Sequence, residues 1–278
     1  MQARRSCSFY FAATDEAVMH LKAADVTIRY AGHCALATFA LALSRGEIVA
    51  LIGPNGSGKS TALHALAGLT VPEAGDVTLD GRSVRSWKRR QLARRLSFLP
   101  QAPLSPEGMT VEQLVRHGRF AHIGAFGGFS AADRQAVDWA LDSADLHDIA
   151  HRDLRALSGG ERQRAWIAAA LAQEAEILLL DEPTSFLDIG HQVEVLELLC
   201  RLRRERQVTV VVAIHDLNQA MAIADRIVLL AKGRTLFCGT ADTLADSGLV
   251  ETTFSVSGAF ERPRDQAGAV YFNAHIAT

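Results

Sequence analysis

Residues 47–61 read EIVALIGPNGSGKST, and the fold is decided here. Glu47 to Ile52 is a nearly unbroken apolar run of strand length, as a strand buried on both faces requires. Gly53-Pro54-Asn55-Gly56-Ser57-Gly58-Lys59-Ser60-Thr61 then matches the spacing GxxxxGK[ST] in full. In that spacing the glycines let consecutive backbone N–H groups turn inward as an anion nest. A helix expected over Lys59 to Leu69 adds the positive end of its dipole. Lys59 supplies a point charge for β- and γ-phosphates, and the Ser60 hydroxyl can ligate Mg²⁺. The chain has only four lysines, Lys22, Lys59, Lys88 and Lys232, so a lysine inside this motif is informative. The stretch reads as a nucleotide site.

Outward from it, Leu96 to Leu99, Ile177 to Leu180 and Thr209 to Ile214 repeat the unbroken apolar pattern of buried strands. Helices fit between them over 191–205, with Val193, Leu196, Leu199 and Leu202 on one face, and over 216–224. This alternation predicts an α/β fold with a mainly parallel sheet. Residues 102–157 break the rhythm: they hold no convincing strand, carry Gly124, Gly127 and Gly128, and read as helix over 131–144. They are expected to form a helical subdomain inserted between core segments 19–101 and 158–240, with a tail over 241–278.

Two further stretches bear on chemistry. Ile177-Leu178-Leu179-Leu180-Asp181-Glu182 places Asp181 at a buried strand end, where its carboxylate can hold the Mg²⁺ that Ser60 touches. Glu182 follows as the natural general base for an attacking water. Leu157-Ser158-Gly159-Gly160-Glu161-Arg162-Gln163 opens a helix of good formers over Arg162 to Ala172. Ser158 is its plausible N-cap, and Ser-Gly-Gly leaves backbone N–H groups at a positive helix end that suits an anion.

Together these motifs resemble the nucleotide-binding subunits of ABC transporters, over nearly the whole chain from about residue 20. The resemblance implies a P-loop NTPase core with an antiparallel β region near the N-terminus, forming a single nucleotide-binding domain over 19–278. It implies a homodimer with two composite ATP sites, in which Ser158, Gly159 and Gly160 close in trans over nucleotide held by Gly53 to Thr61 of the partner. Tyr30 looks like the aromatic that stacks on adenine, and Gln101 like the glutamine that links Mg²⁺ and the γ-phosphate to the membrane partner. Asp188 looks like the residue of the loop that crosses the dimer interface. Phe186 departs from the alanine more usual in that loop. His215 looks like the switch histidine on the γ-phosphate. Catalysis would thus rest on Lys59, Gln101, Glu182 and His215, and Mg²⁺ on Ser60, Gln101 and Asp181.

Within that family the segments Gly118-Arg119, Ala131 to Arg134, Glu161 to Ile167 and Leu187 to Gln192 are most similar to importers of ferric siderophore, haem and cobalamin type, the ferric hydroxamate group above all. This implies permease subunits as partners, a cargo-binding protein as an indirect one, and a peripheral place on the cytoplasmic face of a bacterial inner membrane. Alternatives are a haem or cobalamin importer, an exporter subunit, a soluble ABC ATPase, or a non-catalytic ATP-binding module. The short, heptad-free stretch from Gln101 to Ser158 weighs against DNA-repair relatives, and intact Lys59, Asp181, Glu182 and His215 against the last.

Bulk properties narrow the rest. A formal net charge of −2 gives no basic field for nucleic acid, and four scattered cysteines form no CxxC pair. No apolar run reaches the ~18 residues of a membrane span. Arg4 and Arg5 before the short patch Cys7 to Ala13 only weakly imitate a signal peptide, because Asp15 and Glu16 follow without a cleavage site. Residues 1–18 are expected to be a loose extension, with Met19 as an alternative start. His147 and His151 have the i,i+4 spacing of a zinc helix without the adjacent glutamate, so a solvated face is expected. The run Arg85, Lys88, Arg89, Arg90, Arg94 and Arg95 is expected as wet surface, with Trp87 and Leu92 turned inward. Pro263 and Gly268 argue for loop and loosely held strands in the tail.

Overall fold

The apolar run ahead of the glycine loop forms a strand in which all five residues are buried. The computed structural model describes residues 20–103, 107–123, 127–261 and 270–275. Residues 1–19, Gly124, Pro263 and Gly268, about which expectations were stated, lie outside them. The described strands are β1 (Leu21–Tyr30), β2 (His33–Leu43), β3 (Ile48–Ile52), β4 (Ala74–Leu79), β5 (Arg82–Ser83), β6 (Leu96–Leu99), β7 (Ile177–Asp181), β8 (Thr209–Ala213), β9 (Arg226–Ala231), β10 (Arg234–Gly239), β11 (Ser257–Glu261) and β12 (Tyr271–His275). The helices are α1 (Lys59–Leu66), α2 (Arg89–Ala93), α3 (Val111–His117), α4 (Ala131–Ser143), α5 (Gly159–Ala172), α6 (Ile189–Arg206), α7 (Leu217–Ile223), α8 (Ala241–Ala245) and α9 (Leu249–Phe254).

The chain forms two compact units, Met1–Ser86 with Val211–Thr278, and Trp87–Val210. The first unit carries the antiparallel sheet β2-β1-β4-β5. Its leading hairpin turns at Ala31 and Gly32, both at positive φ (47° and 85°), the backbone a two-residue hairpin loop demands. Leu21, Val26, Ile28, Leu36, Phe39, Leu41 and Leu43 bury the inner face. In the same unit β3 runs parallel to β9, Leu51 opposite Val228, and β9 returns antiparallel as β10. The tail adds the β11–β12 pair, whose Phe260 and Phe272 rings lie 5.0 Å apart. Asn218 of α7 holds this pair by accepting from the Phe272 N–H at 2.7 Å and donating to its carbonyl at 3.2 Å.

In the second unit β6 and β7 are parallel, Leu96 opposite Ile177 through Leu99 opposite Leu180. Among the described residues of 102–157 the chain is helical, with α3, α4 and short 3-10 turns. α4 ends at Ser143, one residue short of the expected 131–144, and starts on a Ser130–Asp133 capping box. One expectation needs correction. Val193 is exposed, and α6 instead buries Val195, Leu196, Leu198, Leu199 and Leu202. The basic run is wet surface as expected, exposed except for half-buried Arg95 and spread over a 3-10 turn at Val84–Ser86 and α2, with Leu92 buried. His147 and His151 are both exposed, the solvated face expected, and His147–Ile149 is a 3-10 turn.

A buried guanidinium ties the helices of this unit together. Arg119 Nε donates to Asp133 Oδ1 at 2.9 Å, and its Nη1 donates to the Ala172 carbonyl and to Glu174 Oε2, each at 2.7 Å. Its neighbour Gly118 lies so close to α5 that a Cβ there would overlap the Ala169 carbonyl oxygen. The Ser130 hydroxyl, the Ser130 N–H and the Arg119 guanidinium together hold the Asp133 carboxyl at a pKa of about 2, against an ordinary 3.8, with burial opposing them. A carboxyl depressed in this way stabilises the fold at every pH above its unfolded value, and that contribution fades as pH falls through about 2. Asp133→Asn is therefore expected to cost about 3 kcal/mol in urea unfolding, because it removes the buried half of the charge that faces the Arg119 guanidinium and leaves only the part-exposed Glu174. The gap to wild type should be equal at pH 7 and pH 5 and smaller at pH 3.

Candidate functional site

In the first unit β3 delivers the chain into a loop whose Gly53, Gly56 and Gly58 all have positive φ (147°, 73° and 108°). Two of these positions admit nothing larger: a Cβ on Gly53 would overlap the Leu230 carbonyl oxygen, and one on Gly58 would lie 2.7 Å from the Ala35 oxygen. The β9–β10 turn braces the loop from below, its Gly233 N–H donating to the Ser57 carbonyl at 3.0 Å. Gly58 precedes α1 and gives it no side-chain cap, and a helix start of this kind suits an anion. Lys59 is buried, and its Nζ donates to the Gly53 carbonyl at 2.9 Å and the Pro54 carbonyl at 3.4 Å. The Ser57 hydroxyl is buried without a hydrogen-bond partner among the described residues, an uncommon state for a polar atom. These features fit a phosphate chain.

Asn55, Gly56 and Ser60 are exposed, while Pro54 and Thr61 are half-buried. Tyr30, at the end of β1, is 47% exposed, so its ring is not a core aromatic, and its hydroxyl lies 3.4 Å from Thr70 Oγ1. His215 is exposed between β8 and Asp216, which caps α7 by accepting from the Gln219 N–H at 3.0 Å. Neither Tyr30 nor His215 hydrogen-bonds to the glycine loop among the described residues.

In the second unit Asp181 closes β7 and is buried. Glu182 follows at φ 49°, a left-handed backbone uncommon for a residue with a side chain and a frequent mark of functional turns. Its Oε2 accepts from Gln101 Nε2 at 2.7 Å and from Ser185 Oγ at 3.0 Å. The ends of the parallel strands β6 and β7 thus bring Gln101 and Glu182 into contact.

Ser158 caps α5 as expected, and the helix begins at Gly159 rather than Arg162 because Glu161 completes a capping box. Glu161 N–H donates to Ser158 Oγ at 3.2 Å, and Ser158 N–H to Glu161 Oε2 at 2.8 Å. The Ser158 N–H, its hydroxyl, and the charges of Arg152 and Arg164 hold the Glu161 carboxyl below its ordinary range. One of the expected anion donors, the Ser158 N–H, is therefore already used, and the amides of Gly159 and Gly160 have no partner among the described residues. Asp188 caps α6 through the His191 N–H at 3.0 Å. That bond, followed by the His191 imidazole, lowers its carboxyl pKa.

A model of the family described as ABC transporter matches residues 36–185, more than half of the chain. The chain belongs to the ABC transporter family. It is 42% identical over 216 residues to the iron(3+)-hydroxamate import ATP-binding protein FhuC of Bacillus subtilis, covering 78% of this chain and 80% of that one. It is 38% identical to the ferric enterobactin transport ATP-binding protein FepC of Escherichia coli, covering 87% and 89% respectively. A dimeric structure of MJ0796, a bacterial ABC transporter cassette, superposes with a TM-score of 0.70 at 32% identity, over 79% of this chain and 98% of that one. The chain is accordingly an ATPase of the ABC type.

Three features without a motif of their own shape this ABC ATPase locally. Ser185 shares Glu182 Oε2 with Gln101, and its spacing of three from Glu182 is the only signal for it. Gln192 Nε2 donates to the carbonyls of Leu187 (3.1 Å) and Thr184 (3.4 Å), fastening the loop before α6. The Leu230–Gly233 brace under the glycine loop comes from a hairpin far along the chain and leaves no local signal. Gly53→Ala is expected to lower ATP affinity at least tenfold in a fluorescent-nucleotide titration and stability by about 1–3 kcal/mol. Wild-type affinity in that variant would show that the loop tolerates a Cβ.

Proposed function

We propose that this ABC ATPase powers a bacterial importer of ferric siderophores, of the hydroxamate type, as a homodimer bound to permease subunits on the cytoplasmic face of the inner membrane. The observation that carries the catalytic part is the Glu182 carboxylate, set at the end of β7 and held by Gln101 and Ser185. Cargo is inferred from the relatives whose names specify ferric hydroxamate and ferric enterobactin. No helix among the described residues is long and apolar enough to cross a membrane, in keeping with a separate permease. A cargo-binding protein would act at one remove.

In this reading residues Gly53 to Thr61 hold the ATP phosphates, with Lys59 on the β- and γ-phosphates and Tyr30 stacked on adenine. Ser60, Gln101 and Asp181 are the proposed ligands of Mg²⁺, which neutralises phosphate oxygens when bound. Glu182 takes a proton from the attacking water as the new P–O bond forms, ADP departs with the bond to the γ-phosphorus broken, and His215 contacts the γ-phosphate. Most of the rate comes from positioning and charge stabilisation rather than covalent catalysis. Ser158, Gly159 and Gly160 complete the site of the second copy, and Asp188 lies at the interface. The exposed apolar side chains Phe186, Ile189 and Val193 around Asp188 support a protein partner there.

Glu182→Gln is expected to bind ATP with unchanged affinity and to lose at least about 100-fold in kcat, the usual worth of a general base. Brisk phosphate release by that variant would remove Glu182 from the base role. Cargo is tested by uptake of labelled ferric hydroxamate, haem and cobalamin into iron-starved cells relying on wild-type or Lys59→Ala protein. Loss of ferric hydroxamate uptake alone is expected, and loss of haem or cobalamin uptake instead would reassign the cargo.

A further inference from the structure

The start of α6 folds back on the start of α5 through one side chain. Asp188 Oδ1 accepts from the His191 N–H at 3.0 Å, and Asp188 Oδ2 lies 2.7 Å from His191 Nδ1. A carboxylate can only accept, so Nδ1 carries the proton of this bond. The opposite edge of the same imidazole covers Gly160: a Cβ built on that glycine would overlap ring atoms Cδ2 and Cγ and lie 2.8 Å from Nε2. The ring therefore occupies the space that any other residue at position 160 would need. Its neighbour Gln192 fixes the intervening loop through the Leu187 carbonyl at 3.1 Å.

We propose that His191 is a positioning residue that locks Asp188 and Gly160 into one register, so that both reach the second copy together. The proposal rests on the homodimer reading above, in which each of these two residues works across the interface. Two separate contacts support it. The hydrogen bond to Asp188 fixes the ring's rotation, and the contact with Gly160 converts that rotation into a fixed distance between α5 and the loop before α6. A residue at 191 that only donated to the Asp188 cap would need neither the ring nor the glycine beneath it, because its backbone N–H already makes that bond.

The test uses the full-length Glu182→Gln protein, in which ATP is held without turnover. Dimer dissociation constants at saturating MgATP are measured by analytical ultracentrifugation, and nucleotide affinity of the monomer at concentrations below dimerisation. Adding His191→Ala is expected to weaken the dimer about tenfold, as for loss of one charge-assisted hydrogen bond at a partly exposed site. Monomer affinity for ATP should stay within twofold and the melting temperature within about 3 °C. His191→Asn, whose amide can stand near the Nδ1 position, should recover most of the loss. An unchanged dimer constant in His191→Ala, a parallel loss of melting temperature and nucleotide affinity, or no recovery with Asn would each overturn the proposal. A Glu182→Gln protein that stays monomeric with MgATP would overturn the homodimer reading and this proposal with it. A dimer indifferent to His191→Ala would overturn the proposal alone.

Discussion

Every α-helix starts with backbone N–H groups that its own carbonyls cannot reach, and this chain treats that constraint in two opposite ways. Thr110, Ser130, Ser158, Asp188, Asp216 and Thr240 each turn a side-chain oxygen onto the amide three residues later, so the helices they open are satisfied from within. α1 opens on Gly58 without such a cap. A glycine there has no side chain to offer and a backbone at φ 108° that other residues avoid. The uncapped start follows a loop braced by the Gly233 N–H and crowded by the Leu230 carbonyl. The chain thus closes six helix starts with side-chain oxygens and opens α1 on a glycine of left-handed backbone instead.

α5 lies between the two cases. Its capping box uses the amides of Ser158 and Glu161 and brings a carboxylate to the helix start. The two amides of Gly159 and Gly160 remain, which makes this end a narrower anion site than Ser-Gly-Gly alone suggests. Glu161, kept ionised by the Ser158 N–H and hydroxyl, compensates part of the helix dipole. Any phosphate group approaching there meets two glycine amides beside a negative charge, a balance that suits a transient contact better than a permanent one.

What the sequence made legible was local. β3, β7 and β8 are runs in which every residue is buried, and their apolar continuity announces it. The glycine loop, the Asp181-Glu182 pair and the Ser158 cap are likewise encoded within a few residues. The errors come from context. Val193 fits the apolar stripe of α6 by spacing, yet it is exposed, and the buried face of the helix begins only at Val195. α5 starts earlier than helix propensity suggests because a capping box outweighs two glycines. The pairing of Gln101 with Glu182 depends on β6 and β7 being neighbours, and the covering of Gly160 by His191 joins residues from different helices. Neither is visible until the chain is folded.

Those non-local contacts explain why α5 can act as a rigid piece within its unit. At its C-terminal end the Ala172 carbonyl and Glu174 receive the Arg119 guanidinium, itself paired with buried Asp133. At its N-terminal end Gly160 lies under the His191 ring. Between them Ala165, Ala168, Ala169 and Ala172 are buried, small enough for Gly118 to touch the helix backbone. Fourteen residues span about 21 Å, so a helix held at both ends transmits displacement along its axis with little loss. A buried ion pair is costly to desolvate and adds little net stability over an apolar substitute. Its value here is directional: the planar guanidinium holds Asp133 of α4 and the Ala172 carbonyl of α5 at the same time, and so ties the two helices to each other.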